Sequence, residues 1–405
     1  MGSHAVDRLV DAGHEVVAAD SLLGGYQRNV NAGVRFEQCD LVDRAAAADL
    51  IDDVSPEIIF HYAADATEGR SQFTPLSAMD NNLVAYLNTL IPAVDRGLQK
   101  MVLVSSMSVY GAQEPPFVES MPRLPADVYA AMKASMEAAT EHLAAVHEFD
   151  YTIFRPHNVY GERQNMADPY RNVVAIFING LLRNRPIHIY GDGEQRRAYS
   201  YIGDVNPVIV DGGLSDLSNS QIFNVGSAES VTINELADLI RDIFFDGEPW
   251  PEGLEPKYLP DRPLEVKNAF CSHEAAERIL GFKNVTTLRK GLESMVSWAR
   301  DIGAQKILCV VSRPDYVNLM EKLGIDIAIS PRQAMARQIR TFLNTGPVVS
   351  RTMLHNKNIG VFEIEVQPGS PATEHVLANL DFPAGKCLIA ARGHDGQVIL
   401  PRADE

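Results

Sequence analysis

The chain has 405 residues, 46% of them hydrophobic, and a formal net charge of −17 at pH 7. This length and apolar content suit two or three domains with real cores. The acidity argues against nucleic acid, or an anionic membrane surface, as the main partner. The cysteines, Cys39, Cys271, Cys309 and Cys387, lie far apart and form no Cys-x-x-Cys motif. They suggest neither a zinc site nor a disulfide framework, and no metal is expected. No signal-like leader appears, and no apolar run is long enough to span a bilayer. A cytoplasmic chain with reduced thiols is the expectation.

The first 150 residues alternate short apolar runs with amphipathic stretches. Residues 5–12 read as a helix and 15–19 as a strand. Strands are also expected at 57–61 and 101–105, and helices at 82–97 and 129–148. Such alternation predicts a parallel sheet covered on both faces. After Asp150 the spacing loosens. Residues 187–199 read as a Gly/Asp-rich turn between short strands, and 232–245 as a helix with Asn234 and Glu235 near its start. The character changes near 299–305, and a fresh strand is expected at 306–311.

Within this frame, Tyr129-Ala130-Ala131-Met132-Lys133 is the most informative stretch. Its Ala and Met content favours a helix, which puts the phenol and the ammonium on one face. A lysine beside a tyrosine stabilises the phenolate, so the pair is expected to have a lowered tyrosine pKa and to act as a base near neutral pH. A solvated helix face has the same spacing by chance, so the company matters. Val102-Leu103-Val104 reads as a buried strand that runs into Ser105-Ser106-Met107-Ser108-Val109-Tyr110-Gly111. A hydroxyl at a strand's carboxyl end, followed by a tyrosine base on the next helix, suits chemistry on an alcohol or ketone.

With these motifs the chain resembles the extended short-chain dehydrogenase/reductase family, in particular its nucleotide-sugar epimerases and dehydratases. The resemblance runs from about Gly2 to about Arg300. It is carried by Gly2-Ser3-His4, His14 to Asp20, Phe60-His61-Tyr62-Ala63-Ala64, the serine strand end and the Tyr/Lys pair. Arg155-Pro156-His157-Asn158-Val159-Tyr160-Gly161 and Tyr190 to Gln195 add to it. The Pro-His-Asn-Val-Tyr-Gly run, with Arg163-Gln164-Asn165 and Tyr170 to Val174 behind it, is most similar to UDP-glucose 4-epimerases.

The resemblance implies an α/β fold: a Rossmann-like, doubly wound parallel sheet with a smaller substrate-binding part. It implies NAD as cofactor, with Gly2 at a helix start, Asp20 on the adenosine ribose hydroxyls, and Asp40 and Leu41 at the adenine. Ala63 and Ala64 would lie along the cofactor, which Tyr129 and Lys133 would also touch. The implied catalytic set is Ser106, Tyr129 and Lys133. Ser106 would bond the reacting sugar oxygen, and Tyr129 would take the 4-hydroxyl proton as hydride leaves C4. Lys133 would hold the nicotinamide ribose. Asn158, Arg197 and Arg262 would meet the phosphates of a UDP-sugar substrate, and a homodimer through a helix pair is a fair expectation. Family dehydratases carry an Asp-Glu pair just after the hydroxyl. Here Met107 and Ser108 stand there, which favours epimerisation.

The sequence departs from the family pattern at both ends. The family opens with a strand and a Gly-x-x-Gly-x-x-Gly turn, and this sequence starts at the third glycine, Gly2. The missing strand is expected to uncover a central edge of the sheet, and the missing turn to weaken cofactor binding. From about Ala304 the chain resembles the regulatory nucleotide-binding protein of Trk-type potassium uptake. Residues 304–347 resemble part of a Rossmann-like domain. Residues 348–405 resemble its small α+β carboxyl-terminal domain, incomplete, with Gly369-Ser370-Pro371-Ala372 as the clearest signature. The expected domains are therefore 1–303 for the epimerase part, then 304–347 and 348–405. Within the first, 1–150 is mainly cofactor-binding and 151–303 mainly substrate-binding. Three functions follow: an NAD-dependent UDP-sugar 4-epimerase, a regulatory ligand-binding subunit of a potassium transporter, or an inactive hybrid of two trimmed pieces.

Overall fold

The computed structural model describes residues 1–261, 266–303, 308–311, 327–332, 334–336, 348–354, 359–364, 391–392 and 398–399. The chain divides into two compact units, Met1–Ile307 and Leu308–Glu405. In the first unit, strands β1 (Val17–Asp20) and β2 (Arg35–Gln38) form a parallel pair. Strands β3 (Ile58–His61), β4 (Lys100–Val104), β5 (Asp150–Pro156) and β6 (Gln221–Val225) form an all-parallel sheet in the order β6-β5-β4-β3. This is a Rossmann-like α/β arrangement. Helix α1 (Gly2–Asp11) precedes β1, and α2 (Arg44–Val54), α3 (Ala85–Asp95) and α4 (Val128–His147) lie between the strands in sequence.

Every residue of β4 is buried. Alternate side chains serve opposite layers, as strand geometry requires. Met101 and Leu103, with Ile153 of β5, pack against Tyr86, Leu90 and Met136 of the helices on one side. Val102 and Val104, with Phe154, pack against Val205 and Ile209 on the other. A strand covered on both faces reads as a continuous apolar run, which is why this one was visible in the sequence. Its single charge, Lys100, is buried too; its ammonium donates to the Ser215 carbonyl at 2.8 Å and the Ser218 hydroxyl at 3.0 Å.

Helix α4 starts where Asp127 accepts the Ala130 N–H at 2.8 Å, an N-cap. It ends where Glu148 turns left-handed at φ 58°. Helix α3 begins later than expected, because Asp80–Val84 form a π-helical turn leading into it. The helix Ile233–Phe244 opens with a capping box between Thr232 and Glu235. Strands β5 and β6 were not foreseen. Strand β5 carries Arg155 in its buried half, and a buried charge interrupts the apolar pattern.

Among the described residues, β1 pairs only with β2, and β3 pairs only with β4. Ile58, Ile59 and Phe60 of β3 are accordingly only half-buried. In the second unit Leu308–Val310 pairs in parallel with Ile327–Ile329, and Val348–Leu354 pairs antiparallel with Ile359–Ile364. Residues 369–372, the clearest signature of the potassium-uptake resemblance, lie outside the described residues. No helix among the described residues is long and apolar enough to cross a membrane.

The turn after β4 is shaped by Gly111, at φ +66°. A Cβ there would lie 1.9 Å from the Leu124 carbonyl oxygen, and that backbone cannot yield cheaply because Leu124 N–H is bound to the Val109 carbonyl at 2.9 Å. Gly111→Ala is expected to cost about 3 kcal/mol or more, from combined backbone strain and overlap. A urea-unfolding comparison with wild type measures it.

Candidate active site

In open α/β sheets, ligands bind beyond the carboxyl ends of the strands. The sequence candidates gather there. Asp20 ends β1, Asp40 and Leu41 follow β2, Ala63 and Ala64 follow β3, and Ser106 follows β4. Asn158 follows β5. One carboxylate oxygen of Asp20 accepts the Leu22 N–H at 2.7 Å. Asp40 accepts the Val42 N–H at 3.0 Å, and the Leu41 carbonyl accepts the Asn88 amide at 2.9 Å. Ala63 supplies a backbone hydrogen bond to His61. Gly2 begins α1 close to the β3 end: a Cβ added there would sit 3.7 Å from the Tyr62 Cβ.

These residues fit a dinucleotide. No side chain caps the first turn of α1, and a helix start of this kind can receive a pyrophosphate. The exposed Asp20 carboxylate repels a 2′-phosphate, which suits NAD over NADP.

The catalytic candidates come together. The Tyr129 phenol lies beside the Ser106 hydroxyl, which draws its pKa down against burial. Its backbone N–H donates to the Ser71 hydroxyl at 3.2 Å. Ser106 also accepts from the Ser108 N–H at 3.2 Å and the Ser108 hydroxyl at 2.9 Å. The Lys133 ammonium is 6.0 Å from the Tyr129 ring centroid and donates to the Val104 carbonyl at 2.9 Å.

One expectation is corrected. The spacing suggested that Lys133 lowers the Tyr129 pKa. Burial instead pushes the Tyr129 phenol up, with the Glu68 carboxylate adding to it; the Ser106 hydrogen bond and the Arg171 guanidinium oppose. The reason is geometric: the ammonium is turned onto the Val104 carbonyl rather than the phenol oxygen. Burial lowers Lys133 itself to about 8, against the Glu137 carboxylate, which raises it. Burial, helped by the Lys133 charge, lowers His61 to about 3, so that imidazole is neutral.

Sequence reading missed what lies beneath. Arg155 is 1% exposed and Glu137 0%, and they form a two-point ion pair. Arg155 Nε donates to Glu137 Oε1 at 2.9 Å, and Nη2 donates to Oε2 at 2.6 Å. Arg155 Nη1 reaches the Tyr110 hydroxyl at 2.7 Å, which donates to Asn224 of β6 at 2.8 Å. Burial works against the Arg155 charge, but the Glu137 bonds outweigh it and its pKa is raised. A signal existed: Glu137 falls four residues after Lys133, on the same helix face.

The substrate-side candidates are more scattered. Asn158, at φ 42°, donates its amide to the Ala198 carbonyl at 3.0 Å. Arg197, on the strand Arg196–Ala198, donates to the Val266 and Lys267 carbonyls at 2.5 Å and 2.9 Å. One strand thus joins these two, and Arg197 holds the 266–267 segment in place. Arg262 lies outside the described residues.

The Lys133 environment makes a pH prediction. Its folded pKa, about 8, lies below the ordinary 10.5, so between these values the unfolded chain holds more of this proton. Stability from this group therefore rises with pH across that window, and its burial cost is fully felt below it. Tyr129 acts oppositely, but only from about its ordinary value of 10.0 upward. The unfolding free energy of wild type, relative to Lys133→Met, is expected to increase between roughly pH 8 and 10. A flat difference would count against the buried ammonium.

Residues 1–226 match the NAD dependent epimerase/dehydratase family. The chain is 33% identical over 310 residues to a UDP-glucose 4-epimerase of Mycolicibacterium smegmatis, covering 74% of this chain and 96% of that protein. It is 28% identical over 330 residues to a probable UDP-glucuronate 4-epimerase of Rhizobium meliloti, covering 74% and 93%. It is similar to the crystal structure of UDP-glucose 4-epimerase with UDP-glucose from Thermotoga maritima, with a TM-score of 0.68 and 30% identity. That similarity covers 74% of this chain and 96% of the other. The chain belongs to the NAD dependent epimerase/dehydratase family.

Proposed function

We propose that this chain is a UDP-sugar 4-epimerase acting on UDP-glucose and UDP-galactose or their N-acetyl forms. The observation that carries the reading is the Ser106 hydroxyl beside the Tyr129 phenol beyond β4, with Lys133 one helical turn further along. NAD, held by Gly2, Asp20, Asp40, Leu41, Ala63 and Ala64, supplies the hydride acceptor when bound. Ser106 holds the sugar 4-oxygen, and Tyr129 takes the proton from it. Tyr129 then returns that proton to the oxygen of the opposite epimer, so the cycle is neutral overall, as an isomerisation must be. In the resting site burial keeps the phenol protonated, so Tyr129 first loses that proton to solvent water and then serves as base. The Arg171 guanidinium is the cation that favours the ionised phenol, while the Lys133 ammonium is held on the Val104 carbonyl.

The residues after Ser106 support epimerisation over loss of water. Met107 and Ser108 offer no carboxylate, and the Ser108 hydroxyl is engaged with Ser106. Elimination needs an acid and a base beside the leaving group. Asn158 and Arg197 serve the substrate side, Asn158 by exchanging its Ala198 contact for a phosphate oxygen. The potassium-uptake reading is not carried forward, because its signature falls outside the described residues.

The test is direct. The full chain is incubated with NAD and, separately, UDP-galactose, UDP-N-acetylgalactosamine or UDP-glucuronate, and epimers are followed by NMR. Turnover is expected on one of the first two. Tyr129→Phe and Ser106→Ala are each expected to lower kcat by about 10²–10⁴-fold with little change in KM. NAD-loaded protein that turns over none of the three sugars would sink the reading; turnover of the glucuronate alone would move the substrate.

A further inference from the structure

Tyr129, Lys133 and Glu137 recur at four-residue intervals along one face of α4. Each engages the end of β4 at a successive residue. The Lys133 ammonium takes the Val104 carbonyl at 2.9 Å, Glu137 takes the Ser105 hydroxyl at 2.5 Å, and the Tyr129 phenol lies beside Ser106. Glu137 is itself immobilised by the two bonds from Arg155, and Arg123 stands 3.3 Å from its far oxygen. Two parallel bonds between guanidinium and carboxylate fix orientation as well as distance. Ser105 is thereby clamped, and Ser106 is its next neighbour in the chain.

The groups that face Lys133 are few. Its own helix offers Tyr129 and Glu137, and β3 offers His61, which is neutral. The β4 end offers the Val104 carbonyl and the Ser105 and Ser106 hydroxyls. Strand β5 offers Arg155, behind Glu137. Among these, Glu137 carries the negative charge.

We propose that Glu137 is a positioning residue: through Ser105 it aims Ser106 at Tyr129, and its carboxylate keeps the Lys133 ammonium charged in a dry site. This rests on the reading of Ser106, Tyr129 and Lys133 as the reacting set. Glu137 touches no reacting atom. It acts through the strand end and through charge.

Two variants of the full chain separate these roles. Ser105→Ala removes the clamp and leaves the ion pair. Its kcat with NAD and UDP-galactose is expected to fall about tenfold, with KM within about twofold and an unchanged thermal midpoint. Glu137→Gln keeps the shape and removes the charge. The Lys133 side-chain carbon signal, identified by its loss in Lys133→Met, is expected to titrate about one pH unit lower or more. Wild-type kcat in Ser105→Ala, or an unmoved Lys133 midpoint in folded Glu137→Gln, overturns the proposal. Should Glu137→Gln not fold, Ser105→Ala decides alone. Should the wild type lack turnover, the epimerase reading fails, while the lysine titration still decides this one.

Discussion

The site depends on one constraint: the carboxyl end of β4 is stitched to a single face of α4. Val104 and Ser105 bond two different turns of that helix, and Ser106 lies beside the Tyr129 phenol on a third. A strand end and a helix are otherwise free to slide by a residue, and a one-residue slip on a strand sends a side chain to the other face. The stitches remove that freedom. The Glu137–Arg155 pair anchors them from β5, and Tyr110 and Asn224 carry the anchoring on to β6.

Such a buried pair is weak grounds for stability. Desolvating two charges offsets most of their attraction, although removing one partner costs roughly 3–5 kcal/mol. Its value here is geometric. It lets a polar, hydrogen-bonded floor lie beneath the site while the layers to either side stay apolar, with Met101 and Leu103 facing one core and Val102 and Val104 the other. The same burial pushes the Tyr129 phenol up, lowers Lys133 and neutralises His61. Fold and electrostatics have one cause: four adjacent strands bring polar groups to one end and exclude water from it.

The described sheet has two pieces, and the boundary runs beside the crevice. Strands β1 and β3, which flank it, each lack a second strand neighbour among the described residues. Asp20, Asp40, Ala63 and Ser106 each stand at or just past the carboxyl end of a strand that is parallel to its partner. Direction is preserved even where the hydrogen-bonded ladder is interrupted.

The sequence alone determined the parts with local signatures. The alternation of runs gave a parallel α/β unit; the apolar run 102–104 gave β4; the Ala-rich spacing of Tyr129 and Lys133 gave α4 and its reactive face. Short-range periodicity records these because adjacent residues decide them. Strand β5 was hidden by Arg155, whose burial makes sense only once Glu137 is opposite it. Tertiary structure alone decided the direction of the Lys133 ammonium, the upward shift of Tyr129 and the engagement of Arg197 with the 266–267 backbone. Those depend on groups far apart in the chain, and on how little water remains between them, which no run of neighbouring residues encodes.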